Sequence, residues 1–244
     1  NTLKDWEQLV KKQLKTDNIY EILQKENLEN IDVKPYYHNN SEYKLLPKIE
    51  ESTHLVAEYQ EGLEDQAFAF LLNENVENLD EKSIFINNAE LSEHILTDES
   101  NRYFSLIDVF SDDYKAEINE HLAGELLSKS FERNICIDVS LHQNSGASII
   151  QQLSFALAKS KELVEKFGSE ILDKLIFKFA VGSQYFFEIA KIRAFKYLFN
   201  QLSKEFGKDL IPYIFVETSL RNKSKNDQDN NLIRSTLELA SAMI

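Results

Sequence analysis

An α/β fold of the (β/α)8 TIM-barrel type, lacking its last strand and preceded by a helical arm, follows from three features of this 244-residue chain. Apolar runs of strand length recur about seven times along it. The later runs alternate with helical stretches, and one helix-to-strand unit occurs twice with the same Phe-Gly stop. The length suits one α/β barrel domain. A repeated strand and crossover helix requires right-handed connections and a parallel sheet. Seven strands in this length fit a barrel better than a doubly wound sheet, which periodicity alone leaves open.

The elements follow in order. Leu3, Trp6, Leu9, Val10 and Leu14 fall at helical spacing, and Ile19, Ile22 and Leu23 begin a second short helix. Tyr36, Tyr37, His38, Asn39 and Asn40 follow, with little local apolar surface to cover the aromatics. Residues 1–45 therefore read as a helical and extended arm, and residues 46–244 as the barrel domain. Strand-length runs occupy Leu55 to Tyr59, Ala67 to Leu72, Ser83 to Ile86, Tyr103 to Val109 and Ile135 to Val139. A helix starts near Ser148, its expected cap, and stops at Lys166-Phe167-Gly168.

Leu175 to Val181 is apolar except for Lys178 and is broken by Gly182 and Ser183, as in a strand buried on both faces. From Gln184 to Leu202, the residues Phe186, Ile189, Ala190, Ala194, Tyr197 and Leu198 recur at three- and four-residue steps, which predicts a helix with that buried face. Arg193 falls on the same stripe, where a charge needs a partner. Gly207 closes this helix, and Leu210 to Val216 forms the next strand, with Pro212 near its start. After the polar loop from Asn222 to Asn231, Asp227 or Asp229 caps a last helix carrying Leu232, Ile233, Thr236, Leu237, Ala240 and Met243. That helix runs to Ile244 without a glycine stop, which reads as truncation of a barrel before its last strand.

Composition narrows the function classes. With 43% hydrophobic residues, six glycines and three prolines, the chain can bury one large core. Its net charge of −14 and the lack of a basic cluster with interleaved aromatics argue against nucleic-acid and anionic-membrane partners. Cys136 is the single cysteine, so no intrachain disulfide forms and a packing role is expected. No apolar stretch reaches membrane-spanning length, and the polar start from Asn1 to Asp5 is no signal peptide. A reducing cytoplasm is the expected setting.

Three ordered blocks carry a resemblance. The first runs from Asp138 through Ser140, Leu141, His142, Gln143, Asn144 and Ser145 to Gly146 and Ala147, followed by a helix with Gln151, Leu153, Ala156, Leu157 and Ala158. The second contains Phe186, Phe187, Glu188, Ala190, Lys191, Arg193 and Ala194. The third contains Asp227, Gln228, Asp229, Asn230, Asn231, Arg234 and Thr236. Together they resemble the acyl-CoA-binding barrel of the methylmalonyl-CoA mutase family, most closely its small, or beta, subunit type. Trp6 and the stretch from Ile31 to Tyr36 resemble the family's approach to the barrel, and matching between residues 40 and 130 is weak.

The resemblance implies an adenosylcobalamin-dependent complex that interconverts methylmalonyl-CoA and succinyl-CoA. The family's cobalamin-binding signature, Asp-x-His-x-x-Gly, is absent, so no cobalamin domain and no bound cofactor are expected in this chain. In the family's catalytic type, a histidine contacts the thioester carbonyl and an arginine helps bind the CoA ester. Gap-free matching puts those two at Leu141 and Leu175, with His142 one position off. The chain is therefore expected to be structural, with no catalytic or metal-binding residue, and to partner a catalytic large (alpha) subunit; its N-terminal arm is expected to pack on the partner's barrel or back on its own. His142, Gln143, Asn144 and Gln184 are the candidate substrate contacts, while Arg193, Asp227 and Arg234 are read as structural. Two alternatives remain: a competent acyl-CoA mutase barrel of isobutyryl-CoA type with its cobalamin domain elsewhere, in which His142 reaches the ligand, and a free-standing module with a degenerate CoA channel.

Overall fold

The computed structural model describes residues 2–37, 46, 53–76, 79, 81–94, 99–111 and 115–244. These fall into two compact units, Asn1–Leu45 and Leu46–Ile244.

In the first unit, α1 (Leu3–Leu14) opens on a capping box: Asp5 N donates to Thr2 Oγ1 at 3.3 Å and Thr2 N donates to Asp5 Oδ2 at 2.9 Å. Those bonds lower the Asp5 pKa. Tyr20 of α2 (Ile19–Leu23) donates its hydroxyl to Glu7 of α1 at 2.5 Å, and Trp6 stacks on Tyr36 at 5.4 Å. His38, Asn39 and Asn40 lie outside the described residues.

Among the described residues the second unit holds seven parallel strands, each overlapping one expected run: β1 (Val56–Glu58), β2 (Ala69–Leu72), β3 (Ser83–Ile86), β4 (Arg102–Ser105), β5 (Ile135–Asp138), β6 (Leu175–Val181) and β7 (Tyr213–Thr218). β1 to β4 form one parallel sheet and β5 to β7 another, each in chain order. Parallel bridges Phe104↔Arg133 and Asp108↔Cys136 join the two at β4 and β5. The order never reverses, as it does at the switch point of a doubly wound sheet. Ring contacts show that the sheet curls. Phe85 of β3 lies 5.1 Å from Phe215 of β7, and Phe104 of β4 lies 5.0 Å from Tyr213. In a flat sheet, strands four places apart are about 19 Å apart. Among the described residues β7 and β1 do not pair, so the curl is not closed.

Helices α3 (Ala89–His94), α4 (Glu120–Leu127), α5 (Ser140–Asn144), α6 (Ile149–Phe167), α7 (Tyr185–Glu205) and α8 (Gln228–Met243) follow β3 to β7. Ser148 caps α6 in a second capping box, and Gly168 ends it at φ 85°. Gly207, at φ 75°, follows α7. Asp227 caps α8, accepting from Asn230 N at 3.0 Å. The larger core lies between sheet and helices, where Phe177 meets Phe195 at 4.7 Å and Phe199 at 4.9 Å. A smaller core of Ala69, Phe85, Phe104, Leu106, Cys136 and Ile176 fills the concave face.

The buried face of α7 differs from the expected one. Glu188, Lys191, Ile192, Phe195, Phe199, Asn200 and Ser203 are buried, whereas Phe186 is 81% exposed and Arg193, Tyr197 and Leu198 face solvent. Two charges on the core side made that face look polar. Arg193 thus carries no buried charge, and its Nη2 donates to the Ile244 carbonyl at 3.4 Å. α8 departs in the same sense: Glu238 and Ser241 are buried, while Leu232, Ile233, Leu237 and Met243 are exposed. No helix among the described residues is long and apolar enough to cross a membrane.

Candidate functional site at the carboxyl ends of β4 to β7

Parallel α/β sheets present ligand groups at the carboxyl ends of their strands. On the concave face of this sheet, side chains alternate, so Cys136 and Asp138 of β5 share a side with Ile176 and Lys178 of β6. A ladder of charges runs across that end. Lys178 Nζ lies 3.1 Å from both Asp138 Oδ2 and Glu217 Oε2. Asp108, just beyond β4, accepts at Oδ2 from Lys159 Nζ at 2.8 Å and from the Asp138 backbone N–H at 2.9 Å. Asp138 Oδ1 accepts from Ser140 N and Oγ at 2.8 and 2.6 Å.

Every cation in the ladder therefore faces a carboxylate. Burial pulls the Lys178 pKa down, but Asp138 and Glu217 more than offset that and leave it above the ordinary lysine value. Below the ladder, Phe85 stacks on Phe104 at 4.8 Å, and Tyr213 and Phe215 close in from β7. Burial raises the Cys136 thiol well above its usual pKa, which keeps it an uncharged core group.

A second polar layer joins the loops to the helices. Lys191, fully buried on α7, lies 2.5 Å from Glu188 Oε2 and donates to Ala180 O at 2.7 Å and Gln152 Oε1 at 3.1 Å. Glu188 Oε1 accepts from Gly182 N at 3.0 Å, and Gln152 donates to Gln143. A Cβ on Gly182 would meet Gln143 Nε2 at 3.0 Å and Glu188 Oε1 at 3.3 Å, so a glycine fits this close approach.

The structure places His142, Gln143 and Asn144 together on α5, not in an irregular loop. Gln143 is buried in the second layer, and Asn144 Oδ1 accepts from Leu220 N at 2.9 Å and Ser219 Oγ at 3.1 Å, tying the loops after β5 and β7. Both amides have structural partners. His142 is half-buried and lies on the Phe155 ring at 4.5 Å. Burial, then Lys159, lowers its pKa against the opposing pull of Asp108 and Asp138. Gln184 is exposed, and its carbonyl accepts from Glu188 N at 2.9 Å. Arg234 Nη1 donates to Asn222 O at 2.8 Å, holding α8 to its loop, while Asp227 caps the helix and Arg193 lies apart.

Leu175 is buried in the core shared with the helices, at the amino end of β6. The position taken from gap-free matching as the CoA-binding arginine's therefore faces away from the concave side; the cation on that side is Lys178. Sequence reasoning missed Asp108, Lys159, Glu217, Gln152 and the pairing of Lys178. One lysine inside an otherwise buried strand was the readable signal.

The described residues contain no group of three or more His, Cys, Asp or Glu side chains set to hold a metal ion. A family model described as methylmalonyl-CoA mutase matches residues 127–244. The methylmalonyl-CoA mutase small subunit of Porphyromonas gingivalis (strain ATCC BAA-308 / W83) is 38% identical over 112 residues, covering 41% of this chain and 18% of its own length. The methylmalonyl-CoA mutase of Rhizobium meliloti (strain 1021) is 30% identical over 139 residues, or 53% of this chain and 19% of that protein. That of Escherichia coli (strain K12) is 32% identical over 110 residues, covering 41% and 15%. The chain thus spans less than a fifth of the length of these relatives.

Proposed function

We propose that this chain, whose residues 127–244 match a family model described as methylmalonyl-CoA mutase, is a small-subunit-like, non-catalytic scaffold of the (β/α)8 barrel type in that family of isomerases. The single observation carrying this reading is the occupied concave face. Aromatic rings fill its lower layer, and the ladder Lys159, Asp108, Asp138, Lys178 and Glu217 satisfies itself above them. A ligand threading this face has to displace stacked aromatic rings and break two ion pairs to Lys178. The unreversed order of seven parallel strands and their curl support the barrel reading.

The partner in this proposal is a catalytic large subunit, and the reaction of the whole complex is the interconversion of methylmalonyl-CoA and succinyl-CoA. Adenosylcobalamin would belong to that complex. The residues here do not fit it as a ligand set: His142 rests on Phe155 beside Lys159. A cytoplasmic setting accompanies this reading. The N-terminal unit exposes Leu9, Ile22, Leu28, Ile31 and Tyr37, apolar surface suited to a protein partner.

Co-expression with a family large subunit tests the proposal. The two chains should co-purify, the complex should lose stability when residues 1–40 are deleted, and turnover should be unchanged in His142→Ala. A competent barrel is the second reading, favoured by the half-buried His142 at the rim of the ladder. Turnover abolished by His142→Ala would establish it instead.

A further inference from the structure

Helix α5 sits at the carboxyl end of the sheet with little apolar packing to hold it. Among its described residues only Ser140 and Gln143 are buried, while Leu141 is 53% exposed and His142 rests half-buried on Phe155. Polar side chains hold it instead. Ser140 N and Oγ donate to Asp138 Oδ1 at 2.8 and 2.6 Å. On one side Gln143 accepts from Gln152, and Gln152 Oε1 accepts from Lys191, which pairs with Glu188. Glu188 Oε1 in turn accepts from Gly182 N at 3.0 Å. On the other side Asn144 Oδ1 accepts from Ser219 Oγ at 3.1 Å and Leu220 N at 2.9 Å.

One chain of bonds thus runs from the loop after β6, through α7, α6 and α5, to the loop after β7. Its two ends meet, because a Cβ on Gly182 would stand 4.0 Å from Ser219 Cβ. Gln143, Gln152, Glu188, Lys191 and Ser219 are each at most 8% exposed. Breaking one link strands a buried donor or acceptor, so a state with half the links made is disfavoured against one with all made or all broken. A segment with few buried apolar contacts opens below the cost of global unfolding. We propose that α5 is a strap across the carboxyl end of the sheet, latched by Gln143 and Asn144, and that the connections after β5, β6 and β7 are released with it as one cooperative unit. Release frees Asp138 Oδ1 from Ser140 and loosens the ladder at Lys178, which makes the strap a gate on the concave face. This device does not depend on whether that face is filled.

Native-state hydrogen exchange of the 244-residue chain, followed amide by amide, tests the strap. Ser145, Ala147, Gly182 and Leu220, all hydrogen-bonded within it, should share one opening equilibrium. Their protection should lie at least about tenfold below that of Leu106 and Cys136, whose N–H groups bond across the sheet. Asn144→Ala should speed exchange at Gly182, whose own bond is to Glu188, at least about fivefold, as two lost hydrogen bonds require. Gln143→Ala should do the same at Leu220, whose bond is to Asn144. Where Gln143→Ala does not fold, the milder Ser219→Ala, one bond short, is read at Gly182 instead. Different opening equilibria for Gly182 and Leu220, exchange of both only together with Leu106 and Cys136, or faster exchange at Leu220 with Gly182 unchanged in Asn144→Ala overturns the strap.

Discussion

Lys178 is the residue on which the concave face depends. It stands between Asp138 and Glu217, each 3.1 Å away, with one-fifth of its side chain exposed. Replacing it with methionine leaves two carboxylates facing each other in a partly dry site. Lys178→Met should cost about 2–3 kcal/mol in urea unfolding, below the range for a fully buried pair because solvent reaches both ends. Adding Asp138→Asn should recover part of that loss; strict additivity would mean the two residues do not interact. Since the folded Lys178 pKa is raised, its contribution is complete below the ordinary lysine value and is lost only as pH rises through the folded one.

His142 has the opposite sign. Its folded pKa is lowered, so the unfolded chain takes up the proton at higher pH than the folded chain. Its contribution is intact above about pH 6.5 and declines as pH falls through the lowered folded value. The Tm of the unaltered chain should therefore fall more steeply between about pH 7 and 5 than that of His142→Gln. Parallel profiles would show that the ring at Phe155 is not what resists protonation.

At the scale of elements, α7 shows how its family-like sequence block works. Glu188 and Lys191, three residues apart, are buried together and knit α7 to α6 and to the loops after β5 and β6. Lys191→Met alone should destabilise the chain by about 3–5 kcal/mol, and pairing it with Glu188→Gln should restore much of this. Equal losses for the single and double variants would contradict the network. For α8, Asp227→Ala removes the cap on Asn230 N and should cost about 1 kcal/mol by thermal unfolding.

The same elements show what was legible in the sequence. The seven strands among the described residues lie within or beside their apolar runs; β2 to β6 are buried at all but one position each, and burial on both faces leaves an unbroken hydrophobic signal. Capping by Ser148 and Asp227, and the stops at Gly168 and Gly207, were equally readable, since each answers a local need of helix ends. The buried face of α7 was not. Hydropathy assigns Glu188 and Lys191 to solvent, and only a partner distant in sequence, such as Gln152, makes their burial tolerable. The candidate amides Gln143 and Asn144 were placed at the right end of the sheet, but their hydrogen bonds to Gln152, Ser219 and Leu220 depend on tertiary approach.

For the molecule as a whole, a curled parallel sheet brings residues from β3, β4 and β7 into one interior and lines its carboxyl end with charge. In a substrate channel that space stays open and its polar groups await a ligand. Here Phe85, Phe104, Tyr213 and Phe215 occupy it, and each carboxylate of the ladder has a cation or N–H donor. The scaffold reading therefore concerns occupancy of the interior, and calorimetric titration of the 244-residue chain with methylmalonyl-CoA and succinyl-CoA tests it most directly. The expected result is no saturable heat up to about 1 mM ester; one-to-one binding with a Kd of about 10 μM, near −7 kcal/mol, would contradict it.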